Sequence, residues 1–133
     1  MTEKGILVID HITFKVSDIE KSKSFYDQVL PTIGYEAKAD MSFEGGIRVI
    51  GYACQGKIDT WFTNDKPVSG PFHLAWRVQS QKEVDDFYRA AMQAGGRDNG
   101  KPGKREMYHP GYYGAFVLDP DGNNIEAVFH EAK

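Results

Sequence analysis

Two histidines, His11 and His73, each head a similar apolar/polar alternation, HITFKVS and HLAWRVQ, 62 positions apart. The same offset pairs Phe14 with Trp76, Val16 with Val78, Phe25-Tyr26 with Phe87-Tyr88 and Gly34 with Gly96. Matches held in register over such a span indicate an internal repeat. The strands expected to close the two halves match at an offset of 67, Ile58-Asp59-x-x-Phe62 against Ile125-Glu126-x-x-Phe129. Each half then supplies one imidazole and one carboxylate. Two neutral imidazoles with one or two carboxylates suit one divalent metal ion of borderline softness: Zn, Ni, Co, Mn or Fe(II). Such an ion keeps positions open for water or a chelating substrate oxygen. A single His or Glu on an open sheet face is ordinarily a solvated polar residue. Repetition of both types is what favours a metal held by His11, His73, Glu126 and Asp59.

Strands must position such a set. Residues 8–16 alternate at period 2, with Ile12, Phe14 and Val16 on one face and His11, Thr13 and Lys15 on the other. Ser17-Asp-Ile-Glu20 has the capping-box pattern and predicts a helix to about Leu30, ended by Pro31 and Gly34. Three strand-like runs follow near 35–40, 46–54 and 57–63. Residues 64–71, with VSGP at their end, read as a linker. The order then repeats: a strand at 72–78, a second capping box at Ser80-Gln-Lys-Glu83, and an apolar stripe of Val84, Phe87, Tyr88 and Ala91 stopping at Gly95-Gly96. Arg97 to His109 reads as turn-rich. Strands at about 112–118 and 123–130 are joined by Asp119-Pro-Asp-Gly122. The expected class is α+β: two tandem βαβββ modules, about 8–63 and 72–130, within one domain over 1–133. Together they form a curved mixed sheet with helices outside and a concave inner surface for a site. Strict alternation sends Ile125, Ala127 and Phe129 toward the helices. It sends Glu126, Val128, His130, Asp59 and Trp61 to the concave face.

Composition narrows the partners. Of 133 residues, 41% are hydrophobic and 26% charged, an ordinary globular balance. Net charge is −3 with scattered lysines, which argues against nucleic acid. Lys101, Lys104 and Arg105 form a small basic cluster that reads as a solvated loop, with an anion site as the alternative. No apolar run approaches the ~20 residues a membrane span needs. The start, MTEKGILVID, lacks a signal-peptide pattern, and Cys54 is the sole cysteine. A cytoplasmic protein acting on a small molecule is the expectation.

Four motifs carry a family resemblance: DHITFKVSD at 10–18, SFY at 24–26, FHLAWRV at 72–78 and FVLDPDGNNIEA at 116–127. With them the chain resembles the vicinal oxygen chelate superfamily, the glyoxalase, bleomycin-resistance and extradiol-dioxygenase group. AGGRDNG at 94–100 and YHPGYYGAFV at 108–117 are similar to small bacterial glyoxalase-like proteins. The resemblance implies metal ligands at His11, His73 and Glu126. Its remaining carboxylate position, usually glutamate, falls on Asp59, a reach shorter by ~1.5 Å. Three activities are implied. One is a divalent-metal-dependent isomerase or lyase that chelates vicinal oxygens of a small substrate, with Glu126 or Asp59 moving the proton. Another is an extradiol-type dioxygenase with a His11-His73-Glu126 iron site. The third is a metal-free antibiotic-binding or resistance protein. Trp61, Tyr108, His109, Tyr112 and Tyr113 are the expected substrate contacts, and the loop from Lys101 to Tyr113 is expected to govern substrate choice. The resemblance further implies a homodimer whose site is shared, His11 and Asp59 of one chain opposing His73 and Glu126 of the other.

Overall fold

The structure, a computed structural model, describes residues 9–131. The first module runs β1 (Ile12–Lys15), α1 (Ile19–Val29), β2 (Tyr35–Ser42), β3 (Arg48–Cys54) and β4 (Lys57–Thr63). The second runs β5 (His73–Arg77), α2 (Gln81–Gln93), β6 (Arg97–Lys104), β7 (Tyr112–Leu118) and β8 (Asn124–His130). Each module closes a four-stranded mixed sheet, in the orders β1-β4-β3-β2 and β5-β8-β7-β6. First and last strands pair in parallel, and the other neighbours are antiparallel. The two expected βαβββ modules are therefore present. The expected first strand began at Val8, which lies outside the described residues; β1 itself starts at Ile12.

Local chemistry explains the helices. Ser80 caps α2 by accepting from the Glu83 N–H at 3.1 Å, and the Glu83 carboxylate accepts from the Gln79 N–H at 2.7 Å. In α1 the cap is Asp18, accepting from the Lys21 N–H at 3.1 Å, and not Ser17. The Ser17 backbone N–H and hydroxyl both bond to Asp121 in the second module's turn, so that side chain is already committed. Pro31 enters a short 3-10 turn after α1, and Gly34 leaves it at φ 92°, a left-handed conformation that favours glycine.

One expectation fails outright. Arg97 to Lys104 is a strand, not a turn-rich segment. Its Gly and Pro residues are absorbed as register irregularities against β7, between Asp98 and Gly100 and between Gly100 and Gly103. The first module carries the same feature between Ala37 and Ala39 of β2.

A single buried cluster joins the modules. Phe14, Tyr26 and Phe62 from the first pack with Trp76 and Phe87 from the second. The Tyr26 phenol donates to Asp119 at 2.6 Å, tying α1 to the β7–β8 turn. Asp119 also accepts from the N–H groups of Asp121 and Asn123, each at 2.9 Å, which shapes that turn. Ser69 of the linker lies along β1, exchanging bonds with Lys15 at 2.8 and 2.9 Å and covering part of that free edge. Among the described residues no helix is long and apolar enough to cross a membrane. With the helix faces spent on the shared core, the opposite sheet faces are left for a site.

Candidate functional site

Strand register decides which side chains meet on those opposite faces. In the second module Glu126 stands opposite Ala75 on β5 and Phe116 on β7. Alternation puts Tyr112, Gly114 and Phe116 on one face of β7 with Glu126, Val128 and His130 of β8. His73, at the head of β5, brings its Nε2 to 2.9 Å from Glu126 Oε1. Its Nδ1 lies 3.0 Å from the Asn124 carbonyl. A carbonyl only accepts, so Nδ1 carries a proton and donates it there.

Glu126 is 1% exposed, whereas the His73 side chain is about half exposed. The other carboxylate oxygen, Oε2, accepts from the Tyr112 phenol. Gly114 permits this: a Cβ there would stand 3.1 Å from Oε2. Burial, then the neighbouring Glu126 carboxylate, pushes the Tyr112 phenol well above the usual tyrosine range. Aromatic rings enclose it. Tyr108 meets Tyr112 edge-on at 4.9 Å, and His109 and His130 each lie 5.3 Å from it. His109 Nε2 is 3.0 Å from His130 Nδ1, and burial, then Arg77 and His109, lowers the His130 imidazole.

Two expected contacts lie elsewhere. Tyr113 points to the helix side and donates to Asp85 of α2 at 2.8 Å. Neighbours on a strand cannot share a face, so Tyr112 and Tyr113 could never both line the site. Asp59 also turns away. A bulge in β4 leaves it unpaired, since Tyr52 opposes Thr60 while Ala53 opposes Ile58. Its carboxylate accepts from the hydroxyls of Tyr35 and Thr60, each at 2.9 Å. Thr60 is buried at 1% exposure, and Tyr35 packs against the core. Burial, then Asp59, raises the Tyr35 phenol well above its usual range.

The residue that matches Glu126 is Trp61. Trp61 opposes Thr13 and Gly51 as Glu126 opposes Ala75 and Phe116. The backbone bonds Val16 N–H to Thr63 and Val78 N–H to Val128, both 2.8 Å, keep the same register. The indole lies over Gly51, where a Cβ would come within 2.7 Å of the ring.

His11 precedes β1, with Nδ1 2.7 Å from Asp10, whose other oxygen is 3.4 Å from Lys57. The hydrogen bond to His11, then Lys57, holds the Asp10 carboxyl below its ordinary value. Both histidines therefore have Nδ1 engaged, which leaves Nε2 as the nitrogen to bind, facing Glu126 in His73, the usual orientation of imidazole ligands. Yet within one chain only His73 and Glu126 meet. Among the described residues no three His, Cys, Asp or Glu side chains gather closely enough to hold a metal.

Three neighbours of the pair lie outside the expected substrate contacts, Arg105 among them being marked in the sequence only as part of a basic cluster. Phe116 stacks on His73 with centroids 6.0 Å apart, Arg105 lies over Phe116 at 5.4 Å, and Asn124 holds His73. Phe116 was recoverable, because it shares the parity of Tyr112.

The family model for the Glyoxalase/Bleomycin resistance protein/Dioxygenase superfamily matches residues 8–127. No curated protein sequence matches the chain. A glyoxalase/bleomycin resistance protein from Albidiferax ferrireducens T118 is similar in structure, at 28% identity and TM-score 0.72, over 91% of this chain and 98% of that one. TnmS3, an antibiotic binding protein from Streptomyces sp. CB03234, is 25% identical with TM-score 0.68, over 97% and 100% of the two chains. The fold is also that of FosX, a fosfomycin resistance protein from Listeria monocytogenes complexed with Mn(II) and 1S,2S-dihydroxypropylphosphonic acid. That likeness is 18% identity and TM-score 0.67, over 97% and 95% of the chains.

Proposed function

The chain belongs to the Glyoxalase/Bleomycin resistance protein/Dioxygenase superfamily, and from that premise we propose that it is a divalent-metal-dependent enzyme acting on a small molecule at the His73–Glu126 pair. One observation carries this reading. With Nδ1 donating to the Asn124 carbonyl, His73 presents Nε2 to a buried carboxylate oxygen 2.9 Å away. A lone pair facing a carboxylate calls for a cation between them, a proton or a metal ion. In this reading His73 and Glu126 hold the ion with His11 of a second copy of the chain. The His-His-Glu set leaves positions open, and a bound ion there would polarise chelating substrate oxygens.

The remaining roles fall to protein groups. Tyr112, its phenol kept protonated through neutral pH, holds Oε2 of Glu126 and leaves Oε1 to bind or to move a proton. Phe116 stacks on His73, and Tyr108 and His109 border Tyr112 on the open side of the pair, where a substrate would cover them. Asp59 takes no part, because Tyr35 and Thr60 occupy its oxygens on the helix side. The loop from Lys101 to Tyr113 sets substrate choice through Tyr108 and His109. Metal analysis of tag-free protein, loaded and then desalted, tests this. About one ion per chain is expected, lost in His73→Ala and Glu126→Ala.

A second reading is metal-free binding and sequestration of a small molecule. The partly exposed indole of Trp61, lying over Gly51, favours it as an aromatic surface for a ligand. The likeness to an antibiotic binding protein points the same way. Retention of no ion from Mn, Fe, Co, Ni or Zn would select it.

A further inference from the structure

We propose that Arg105 recognises a carboxylate, so that the ligand of this site is a small organic acid bearing a hydroxyl beside its charge. The inference rests on the His73–Glu126 pair being the ligand site, and it names the ligand's class. A recess of about 260 Å³ adjoins that pair, lined by Asn99, Gly100, Arg105, Tyr108, Phe116 and Asn124. Of the three basic residues in this segment, Lys101 is paired with Asp98 at 3.0 Å. Lys104 is exposed. Arg105 alone lines the recess.

Its guanidinium is held without being neutralised. One nitrogen donates to the Lys101 carbonyl at 2.7 Å, and the group lies over the Phe116 ring at 5.4 Å. Among the described residues it makes no ion pair with a carboxylate. Two glycines make room for it: a Cβ at Gly100 or at Gly103 would each stand 3.2 Å from a guanidinium nitrogen. His73 stacks on the same phenyl ring, so Phe116, which lines the recess, links the positive charge to the imidazole.

A second observation defines the other end of the ligand. Asn124 lines the recess, and its Oδ1 is buried with no hydrogen-bond partner. A buried acceptor left unpaired is costly, and a small turn of the amide into the recess would let a ligand hydroxyl satisfy it. A guanidinium fork fits the two oxygens of a carboxylate. Carboxylate and hydroxyl donor side by side describe a 2-hydroxy acid.

Isothermal titration with mandelate and with its uncharged methyl ester tests this, on metal-loaded and on metal-free protein. Mandelate should bind at least about tenfold more tightly than the ester in both forms. Arg105→Gln should remove that preference, Arg105→Lys should keep part of it, and Lys104→Gln should leave it intact, with thermal melts confirming that each variant is folded. Equal affinities, no mandelate binding at about 10 mM, or a preference surviving in folded Arg105→Gln would overturn the proposal. The metal-free arm separates the two readings. If the protein holds no ion but the Arg105-dependent preference persists, the metal reading fails and this one stands.

Discussion

In the first module Trp61 sits between Thr13 and Gly51; in the second Glu126 fills the matching place between Ala75 and Phe116. Strand order, helix placement and even the irregularity after the helix, at Ala37/Ala39 and Asp98/Gly100, are the same in both. The modules thus share an architecture and differ in what they aim at the open face. One extra residue in β4 swings Asp59 to the helix side, where it binds Tyr35 and Thr60. Beyond that bulge the regular register places an indole, Trp61, where the second module has a carboxylate. A repeated backbone does not guarantee a repeated site. In the proposed site the second module holds the His73–Glu126 pair, and the first contributes a histidine and an aromatic surface.

Replacing Glu126 should separate the modules most sharply. Glu126→Ala leaves His73 and the Tyr112 phenol facing an empty place, and metal affinity should fall at least ~100-fold in a chelator-competition titration. Stability should drop by roughly 3 kcal/mol in a urea melt, the scale for removing one partner of a buried polar pair. Installing a carboxylate in the first module is the converse. Trp61→Glu puts a ligand at the position matching Glu126, and affinity for zinc should rise about tenfold. No change would mean that Trp61 does not face the ion. Asp59→Ala should act on stability alone, lowering it by about 1–2 kcal/mol through the lost Tyr35 and Thr60 bonds. Metal content and ligand affinity should be unchanged. The smallest effect concerns Cys54, whose thiol is pushed up by burial, then by Asp59 and Glu83. Asp59→Asn removes one of those charges, so iodoacetamide should alkylate Cys54 about two- to threefold faster at pH 8. An unaltered rate would indicate that Asp59 points away from Cys54.

Much of this was legible in the sequence. The capping residue Ser80, the stripe of α2, the Asp119-Pro-Asp-Gly122 turn and the inward parity of Glu126 all follow from local rules that the fold obeys. The misplacement of Asp59 has one physical origin, a single-residue irregularity that reverses alternation. Ile58-Asp59-x-x-Phe62 matches Ile125-Glu126-x-x-Phe129 in letters, yet strand register aligns Phe62 with Ala127, because both stand one place beyond Trp61 and Glu126. Nothing in the residue types around Asp59 announces the bulge. Glycines in β6 hid a strand by resembling turn signals. Tyr113 was separable from Tyr112 by alternation alone. Arg105 stood out as part of a basic cluster, but only the recess beside Phe116 distinguishes it from Lys101 and Lys104.

The central claim is that the site joins His73 and Glu126 of one chain to His11 of another, and subunit mixing tests it most directly. His11→Ala and Glu126→Ala proteins should each hold no ion alone. Unfolded together and refolded, random pairing makes half the dimers mixed, and each mixed dimer rebuilds one intact site. Bound metal should recover to about a quarter of the wild-type level. No recovery on mixing, with wild-type protein refolding to full metal content in parallel, would contradict a shared site.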